Sequence, residues 1–241
     1  GEIKKAIKFY KKALNIDKNF NAASFGLSMC YLQTCDFEKG WHYYQWRLDG
    51  KFLKKEFNSR FNKPKFSDLK IIKDKIVLVI YEQGLGDTIQ FCRYLKLLLN
   101  FSAKVIFQVQ KPLFEIVKSL DKNIDIVTEI GNDLQYDFYC PLLDLPKLFK
   151  TTKNSIPSFE SYISVKNSYT AKWKKNIDTH KFNIGISWQG GQSTIDEGRS
   201  FPLSQFSNIA KLKNINLISL QQNFGVEQIN EFKKTYPITD F

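Results

Sequence analysis

The stretch from Ile76 to Leu99 constrains the fold more than any other part of the chain. It reads IVLVIYEQGLGDTIQFCRYLKLLL: an apolar, mostly β-branched run, a turn with two glycines, and then apolar residues at helical spacing. A short continuous apolar run is typical of a strand that is buried on both faces of a parallel sheet. The stretch therefore predicts a strand, a tight turn and a helix within an α/β fold.

The turn between this strand and this helix carries the candidate chemistry. Gly84 and Gly86 permit backbone conformations that other residues rarely adopt, and they allow another molecule to approach the main chain. Asp87 is predicted to be the N-cap of the helix, with Gln90 completing a capping-box-like pair. Such a turn can hold anions and sugars. It lacks the GxGxxG and GxxxxGK[ST] spacings, so an ordinary turn capped by Asp87 is the alternative.

The segment EQGLGDTIQFCRYL, residues 82–95, resembles a family signature. It is similar to that of bacterial tetratricopeptide-repeat proteins that carry a glycosyltransferase domain like the heptosyltransferases (family 9). In that family a Gly-Asp pair stands at the first βα turn, and its aspartate is the proposed catalytic base. Gly86 and Asp87 match the pair. The resemblance therefore implies that Asp87 is the base of an inverting transfer of a sugar to a hydroxyl acceptor.

The same resemblance implies the fold and the co-substrate. The fold would be GT-B, with two Rossmann-like lobes, and the donor would be a nucleotide-diphosphate sugar. No metal and no other cofactor would be required. Around the base, Gln83, Gly84, Gly86 and Gln90 would contact the acceptor or the sugar.

A second matching element, IGISWQGG followed by RSFPL, spans residues 184–203. It resembles the start of the nucleotide-sugar lobe of the family, where a loop and a following basic residue contact the donor diphosphate. Arg199 matches the basic residue, and a guanidinium can donate two parallel hydrogen bonds to a phosphate. Gly190 and Gly191 would add backbone N–H groups. Alternatively, Arg199 pairs with a neighbouring acid, either Asp196 or Glu197.

A third element, PLLDLPKLF, spans residues 141–149 and resembles the PL-LSLP element of these transferases. Asp144 stands where serine is usual. Loops at the carboxyl ends of strands line the ligand crevice of an open α/β sheet, so Asp144 is a candidate contact to the acceptor. The alternative is that Pro141 and Pro146 only turn the chain.

An internal repeat occupies the start of the chain. GEIKKAIKFYKKAL and CDFEKGWHYYQWRL align over residues 1–14 and 35–48, a period of 34 residues. This is the length of tetratricopeptide repeats (TPR), and the small residues Ala6 and Gly40 coincide where paired helices approach closely. Residues 22–32 predict the helix between them. So short a unit cannot bury its own faces, and we favour a cap on the next domain over a groove for a peptide or protein.

Four segments follow from these patterns, and the fold class is α/β with an N-terminal all-α piece. Residues 1–49 are predicted to be TPR helices and 50–73 a linker. Residues 74–168 are predicted to be the Rossmann-like, acceptor-binding N-terminal lobe of a GT-B fold. Residues 169–241 would begin the donor lobe. The chain begins within a helical pattern, and the later Ser/Asp-rich and Ala-His-Leu elements of the family do not follow. We therefore expect a fragment with an incomplete donor lobe.

The same patterns predict individual elements. The expected strands are 76–80, 105–109, 124–127, 138–140, 182–188 and 215–220. The expected helices beyond the repeat, besides the one after Asp87, are 113–120, 169–177 (with Trp173 as its anchor) and 226–236. The linker is expected to pack partly through four phenylalanines: Phe52, Phe57, Phe61 and Phe66.

The composition limits the classes of partner and the cellular location that we expect. The formal net charge is +12, but the lysines are scattered rather than clustered, so no nucleic-acid partner is predicted. No apolar run approaches the ~20 residues that cross a bilayer, so no transmembrane segment is expected. The four cysteines and two histidines form no metal-spaced group and no triad. Cysteines without a pairing pattern favour a reducing compartment, hence a cytoplasmic location.

The sequence thus predicts a glycosyltransferase in which Asp87 of one lobe faces Arg199 of the other across a cleft. Its partners would be a nucleotide sugar, a glycan or protein acceptor, and a protein bound through the TPR helices. The main alternative is a non-catalytic TPR scaffold with a degenerate α/β domain. A doubly wound dehydrogenase is disfavoured, because the third glycine and the acid after the second strand are missing.

Overall fold

A computed structural model describes residues 2–48, 61–102, 104–191 and 198–241 of the chain. The chain divides into two compact units, Gly1–Ser164 and Val165–Phe241. The first unit combines helices with a four-stranded parallel sheet, and the second is built on a pair of parallel strands. The predicted mixed α/β class is confirmed.

The sheet of the first unit has four strands, each within one residue of its predicted bounds: β1 (Ile76–Ile80), β2 (Lys104–Gln108), β3 (Ile124–Val127) and β4 (Phe138–Pro141). Their order is β3-β2-β1-β4. All neighbouring strands are parallel, and Val79 in β1 is paired with Phe107 in β2 and Cys140 in β4. The chain therefore runs outward from β1 through β2 to β3, and then returns to the other side of β1.

The helices that connect these strands are short. The helix predicted after Asp87 is interrupted at Cys92, giving two pieces, and the helix predicted over 113–120 is a 3-10 turn followed by a single α-helical turn. The connecting elements are α4 (Leu85–Phe91), α5 (Tyr94–Leu98), α6 (Phe114–Val117) and α7 (Leu145–Leu148), with 3-10 turns at Leu69–Ile72, Lys111–Leu113 and Leu142–Asp144.

The sheet is buried on both faces, as the apolar run of β1 predicts. Successive side chains of a strand point to opposite faces. Val77 and Val79 belong to the larger core cluster, which the connecting helices cover with Leu95, Leu98 and others. Leu78 belongs to the cluster on the opposite face, where Tyr136 also packs.

The N-terminal helices lie where the repeat predicts them: α1 (Ile3–Ile16), α2 (Asn21–Gln33) and α3 (Phe37–Tyr44), with a 3-10 turn at Gln45–Leu48. Helix α1 packs on α2, and α2 packs on α3. Trp41 and Tyr44 of α3 form a buried cluster with Leu143, just beyond β4, so the helices and the sheet share a core. The TPR assignment itself stays a prediction.

The predicted linker is described only from residue 61 onward. Phe66 is fully buried in the core of the sheet, and Phe61 stacks on Tyr139 at 4.3 Å between ring centroids. Phe52 and Phe57 lie outside the described residues. The described part of this segment is therefore packed on the sheet.

The second unit has its own core, in which Trp188 is the largest fully buried side chain. Trp173 was expected to anchor its first helix, but that helix has no buried residue and Trp173 is 43% exposed. The rings of Trp173 and Phe241 instead form a T-shaped pair with 5.0 Å between their centroids. The elements are α8 (Asn167–Lys174), β5 (Phe182–Ile186), α9 (Ser207–Ala210), β6 (Ile215–Ser219) and α10 (Gln228–Lys233), with a 3-10 turn at Leu203–Phe206.

Gly40→Ala tests the close approach of α2 and α3. A Cβ at Gly40 would lie 2.5 Å from Leu32 Cδ2 and 3.2 Å from the Leu32 backbone nitrogen. We expect urea unfolding to report a loss of about 1 kcal/mol or more, because overpacking outweighs the better helix propensity of alanine. Gly86→Ala is the control, since a Cβ there would meet no atom within 4 Å. An unchanged midpoint for Gly40→Ala would contradict the close packing.

Candidate functional site

The candidate site lies at the carboxyl ends of the four parallel strands. The strand order reverses direction at β1, so the topological switch point falls between the ends of β1 and β4. Open α/β sheets bind ligands in the crevice at this point. Here the end of β1 leads into Glu82 and the Asp87 turn, and the end of β4 leads into Asp144.

The Asp87 turn differs in detail from its prediction. Helix α4 begins at Leu85 with Gly84 as its N-cap, so Asp87 stands in the first turn of the helix. Its Oδ2 atom accepts a hydrogen bond from the Gly84 backbone N–H at 2.9 Å. The prediction of Asp87 as N-cap paired with Gln90 is therefore wrong. Asp87 makes only one half of a capping box, because Gly84 has no side chain to accept in return, and its carboxylate satisfies the backbone N–H of the N-cap residue.

The unusual backbone conformation of the turn falls on Gln83 and not on a glycine. Gln83 has a φ of 62°, whereas Gly84 is extended, with a φ of −81°. The side chain of Gln83 donates to the Tyr44 hydroxyl at 3.0 Å, and its carbonyl accepts from the Gln110 side chain at 3.4 Å. A left-handed non-glycine residue is held only where its surroundings fix it. Here α3 and the segment after β2 do so.

Gly86 and Gln90 border open space on α4. Both are exposed, and Gly86 has no atom within 4 Å of the position that a Cβ would take. Gln90 lines a cavity of about 210 Å³ whose other walls include Trp41 and Arg93. The two residues are therefore accessible to a ligand that approaches the Asp87 turn.

The switch point itself is filled by Arg47, which reaches it from the 3-10 turn after α3. Its Nε and Nη2 atoms donate to the two carboxylate oxygens of Glu82, at 2.9 and 2.5 Å, and Nη1 lies 2.8 Å from Asp144 Oδ1. The side chains of Arg47 and Glu82 are only 4% and 6% exposed. Two parallel hydrogen bonds to one carboxylate are the strongest geometry available to arginine. We call Arg47, Glu82 and Asp144 the switch-point cluster.

The electrostatics of the cluster keep Arg47 charged. Burial by itself would lower the pKa of Arg47, but the carboxylates of Asp144 and Glu82 outweigh burial and raise that pKa above its ordinary value. Glu82 also accepts a hydrogen bond from the Leu143 backbone N–H at 3.0 Å, and Lys65 lies 3.2 Å from Asp144. Every charge in the cluster thus has a counter-charge.

The contacts of this cluster bear on the predicted role of Asp144 as a contact to the acceptor. Both of its carboxylate oxygens are engaged, one by Arg47 and one by Lys65, so the side chain is not presented to a ligand. Neither Arg47 nor Glu82 was predicted to lie in the site. The position of Glu82, an acid two residues after a buried apolar strand, was the available signal. Arg47 gave none, because its pairing depends on the tertiary structure.

The glycine turn of the second unit is braced from within. The Gly190 backbone N–H, a predicted donor to the diphosphate, donates to Ser200 Oγ at 3.0 Å. Gly191 and Arg199 are exposed, and Arg199 follows Gly198, which has a φ of 78°. The alternative pairing of Arg199 concerns Asp196 and Glu197, which lie outside the described residues.

Gln221 fixes this turn, and the sequence prediction missed it. Its Oε1 atom accepts hydrogen bonds from the backbone N–H groups of Trp188 and Gln189, at 2.9 and 3.0 Å, and from the Ser187 hydroxyl. Its Nε2 atom donates to the Gln189 carbonyl at 2.8 Å and the Phe224 carbonyl at 2.7 Å. The buried amide therefore satisfies the backbone groups that a tight turn leaves unpaired.

Over the ranges that the structure describes, no three histidine, cysteine or acidic side chains are grouped to hold a metal ion. Among the helices in those same ranges, none has the length and apolarity to span a bilayer. Searches of protein-family models, curated proteins and solved structures found no match to the chain.

Arg47→Met tests whether the switch-point cluster joins the helices to the sheet. Removing one member of a buried ion pair leaves the others uncompensated, so we expect a loss of about 3–5 kcal/mol in the free energy of unfolding. Lys39→Met is the matched control, because the Lys39–Asp36 pair lies on the surface of α3. That variant is expected to leave the urea midpoint unchanged. Equal midpoints for the two variants would contradict the structural role of Arg47.

Gln221→Leu tests the brace of the second turn. The substitution leaves the buried Trp188 N–H without an acceptor, and we expect it to cost at least about 2 kcal/mol. The exposed neighbour Gln222 provides the control, since Gln222→Leu makes the same chemical change where no such brace exists. Unfolding followed by tryptophan fluorescence measures both. If Gln221→Leu unfolds at the same urea concentration as Gln222→Leu, the turn does not depend on the Gln221 amide.

Proposed function

We propose that the protein is a glycosyltransferase that moves a sugar from a nucleotide-diphosphate donor to a hydroxyl acceptor, with inversion and without a metal. The observation that carries this proposal is the carboxylate of Asp87 at the first βα turn of a parallel sheet. The GT-B architecture and the family resemblance belong to the same proposal. Asp87 would be the base, and Gln83, Gly84, Gly86 and Gln90 the surface that meets the acceptor.

The geometry of Asp87 suits a general base. Oδ2 is fixed by the Gly84 N–H, whereas Oδ1 has no hydrogen-bond partner among the described residues. A base of this kind needs one orientation and one open oxygen that can take the proton of the acceptor hydroxyl. The hydroxyl oxygen then attacks the anomeric carbon as the bond to the donor diphosphate breaks.

The second unit would bind the donor. In this proposal Arg199 contacts the diphosphate, where negative charge increases as the bond breaks, and positive or dipolar groups placed there lower the barrier. Gly190 uses its N–H within the loop, so Gly191 is the remaining backbone donor of the predicted pair. The acceptor would be a glycan or a protein, and the location cytoplasmic.

The second candidate function is a protein-binding scaffold, and Arg47 favours it. Its guanidinium occupies the place where open α/β sheets receive ligands, and it does so from the helical segment. In a scaffold, the helices would bind a protein partner and the sheet would serve only as support. Titration with nucleoside diphosphates separates the two functions, because a scaffold would bind none.

Asp87→Asn is the test of the base. Asparagine can still accept the Gly84 N–H bond, so we expect the fold to persist while sugar transfer falls at least about 100-fold. The measurement is release of nucleoside diphosphate by the full-length protein, across a panel of nucleotide sugars and acceptors. Asp133→Asn, an exposed acid after β3, is the control and should retain full activity. Activity that survives Asp87→Asn would remove the base assignment.

A further inference from the structure

Two buried glutamines lie at the carboxyl ends of strands, and their side-chain amides differ in hydrogen bonding. Gln221, two residues after β6, uses its side-chain amide fully, as described above. Gln108 is the last residue of β2 and is also only 8% exposed. Its side-chain amide makes no hydrogen bond to any described residue. Its polar atoms nonetheless remain accessible to solvent. Among the described residues, they are absent from the set of fully buried side-chain N and O atoms that lack a hydrogen-bond partner.

The alternation of β2 determines where this amide lies. Phe107 points into the larger core, whereas Ile106 packs on the opposite face with Tyr136. Gln108 shares the face of Ile106, because side chains two residues apart along a strand lie on one side. A cavity of about 630 Å³ opens on that face, and Gln108 lines it. The amide therefore ends at the wall of a cavity.

The position of this amide suits an external partner. No described residue satisfies it, and because its polar atoms reach the cavity it can hydrogen-bond to a molecule that occupies that space. An aliphatic side chain at this position would continue the apolar face but would offer no such bond. Cavities of about 300–1,000 Å³ with a few placed polar groups are typical of small-molecule sites. The size of this cavity and the unpaired amide together indicate a ligand site.

The remaining lining residues define the ligand class. Asn62 accepts a hydrogen bond from the Tyr136 hydroxyl at 3.1 Å through Oδ1, which leaves its NH₂ group as a donor. Glu129 adds a carboxylate that can accept two hydroxyl groups. Ile130 and the ring of Tyr136 supply apolar surface, and the described residues of the lining include neither lysine nor arginine. Amides, one acid and apolar walls suit a neutral ring rich in hydroxyls, whereas the carboxylate of Glu129 would repel an anion.

We propose that this cavity is a binding site for a neutral saccharide. The amide of Gln108 and the carboxylate of Glu129 hydrogen-bond to ring hydroxyls, and Tyr136 packs against the apolar face of the sugar. The site is separate from the Asp87 turn, and the inference does not require Asp87 to be a base. The same hydroxyl chemistry occurs in the ribose of a nucleotide, but the carboxylate of Glu129 would repel a phosphate group beside it.

The test is an NMR titration of the nitrogen-15-labelled full chain. The probes are methyl glucopyranoside and methyl ribofuranoside, each raised to tens of millimolar, with uridine diphosphate as the anionic arm. The readout is the side-chain NH₂ signal of Gln108, which is identified by its loss in Gln108→Leu. Two variants remove ligand contacts, Gln108→Leu and Glu129→Gln. Their matched controls are Gln135→Leu and Asp133→Asn, which are nearby residues outside the cavity lining.

We expect at least one neutral saccharide to shift the Gln108 signal. Glu129→Gln should raise the Kd for the saccharide at least about tenfold. Gln108→Leu lacks the side-chain signal, so its Kd is measured from the shifts of neighbouring backbone amides, and this Kd should rise by the same factor. Both controls should bind as the parent does. Gln108→Leu should also unfold at the same or a higher urea concentration, unlike Gln221→Leu.

Three results would overturn the proposal. The first is that no neutral saccharide shifts the signal. The second is that only the diphosphate binds. The third is that Glu129→Gln and Gln108→Leu bind as tightly as their controls. Because Glu129 is exposed, its substitution tests the site even where Gln108→Leu fails to fold. None of these results depends on the transfer assay of Asp87→Asn.

Discussion

The arrangement of the first unit depends on one buried guanidinium. Arg47 is held between Glu82 and Asp144, so the helical segment is joined to the sheet at the point where the strand order reverses. Burial of these charges is costly, and it is repaid only if every partner is in place. The helices and the sheet therefore depend on each other. The same junction reaches the Asp87 turn, because Tyr44, one helical turn before Arg47, holds the left-handed Gln83.

Strands were predictable because their signal is local. The apolar run of β1 gave the observed bounds, since burial on both faces of a parallel sheet is typical of such a continuous run. Caps were less predictable. Asp87 looked like an N-cap because it precedes a helical pattern, but the backbone becomes helical at Leu85. The left-handed residue of this turn is Gln83 and not one of its two glycines, Gly84 and Gly86.

The candidate site was less predictable than the fold, because its contacts are non-local. Arg47 and Glu82 are 35 residues apart, and nothing in either local pattern pairs them. Gln221 and Gln108 are the same residue type at equivalent ends of strands. Their difference comes from what each meets: a turn with unpaired backbone groups in one case, and a cavity in the other. Trp173 was misjudged for the same reason, since size predicts burial only where neighbours cover the side chain.

The carboxyl edge of the first sheet is consequently divided. Its centre, between β1 and β4, is occupied by Arg47, which joins the helical segment to the sheet. On the other side of β1, Gln110 ties the segment after β2 to the Asp87 turn through Thr88 at 2.9 Å. Beyond it, at the ends of β2 and β3, lies the Gln108 cavity. Open α/β sheets usually bind ligands at the switch point. Here Arg47 of the helical segment occupies that point, so a ligand would bind beside it, in the Gln108 cavity. Arg47 pairs with Glu82 after β1 and with Asp144 after β4, and it thereby fixes the helical segment at these two strand ends.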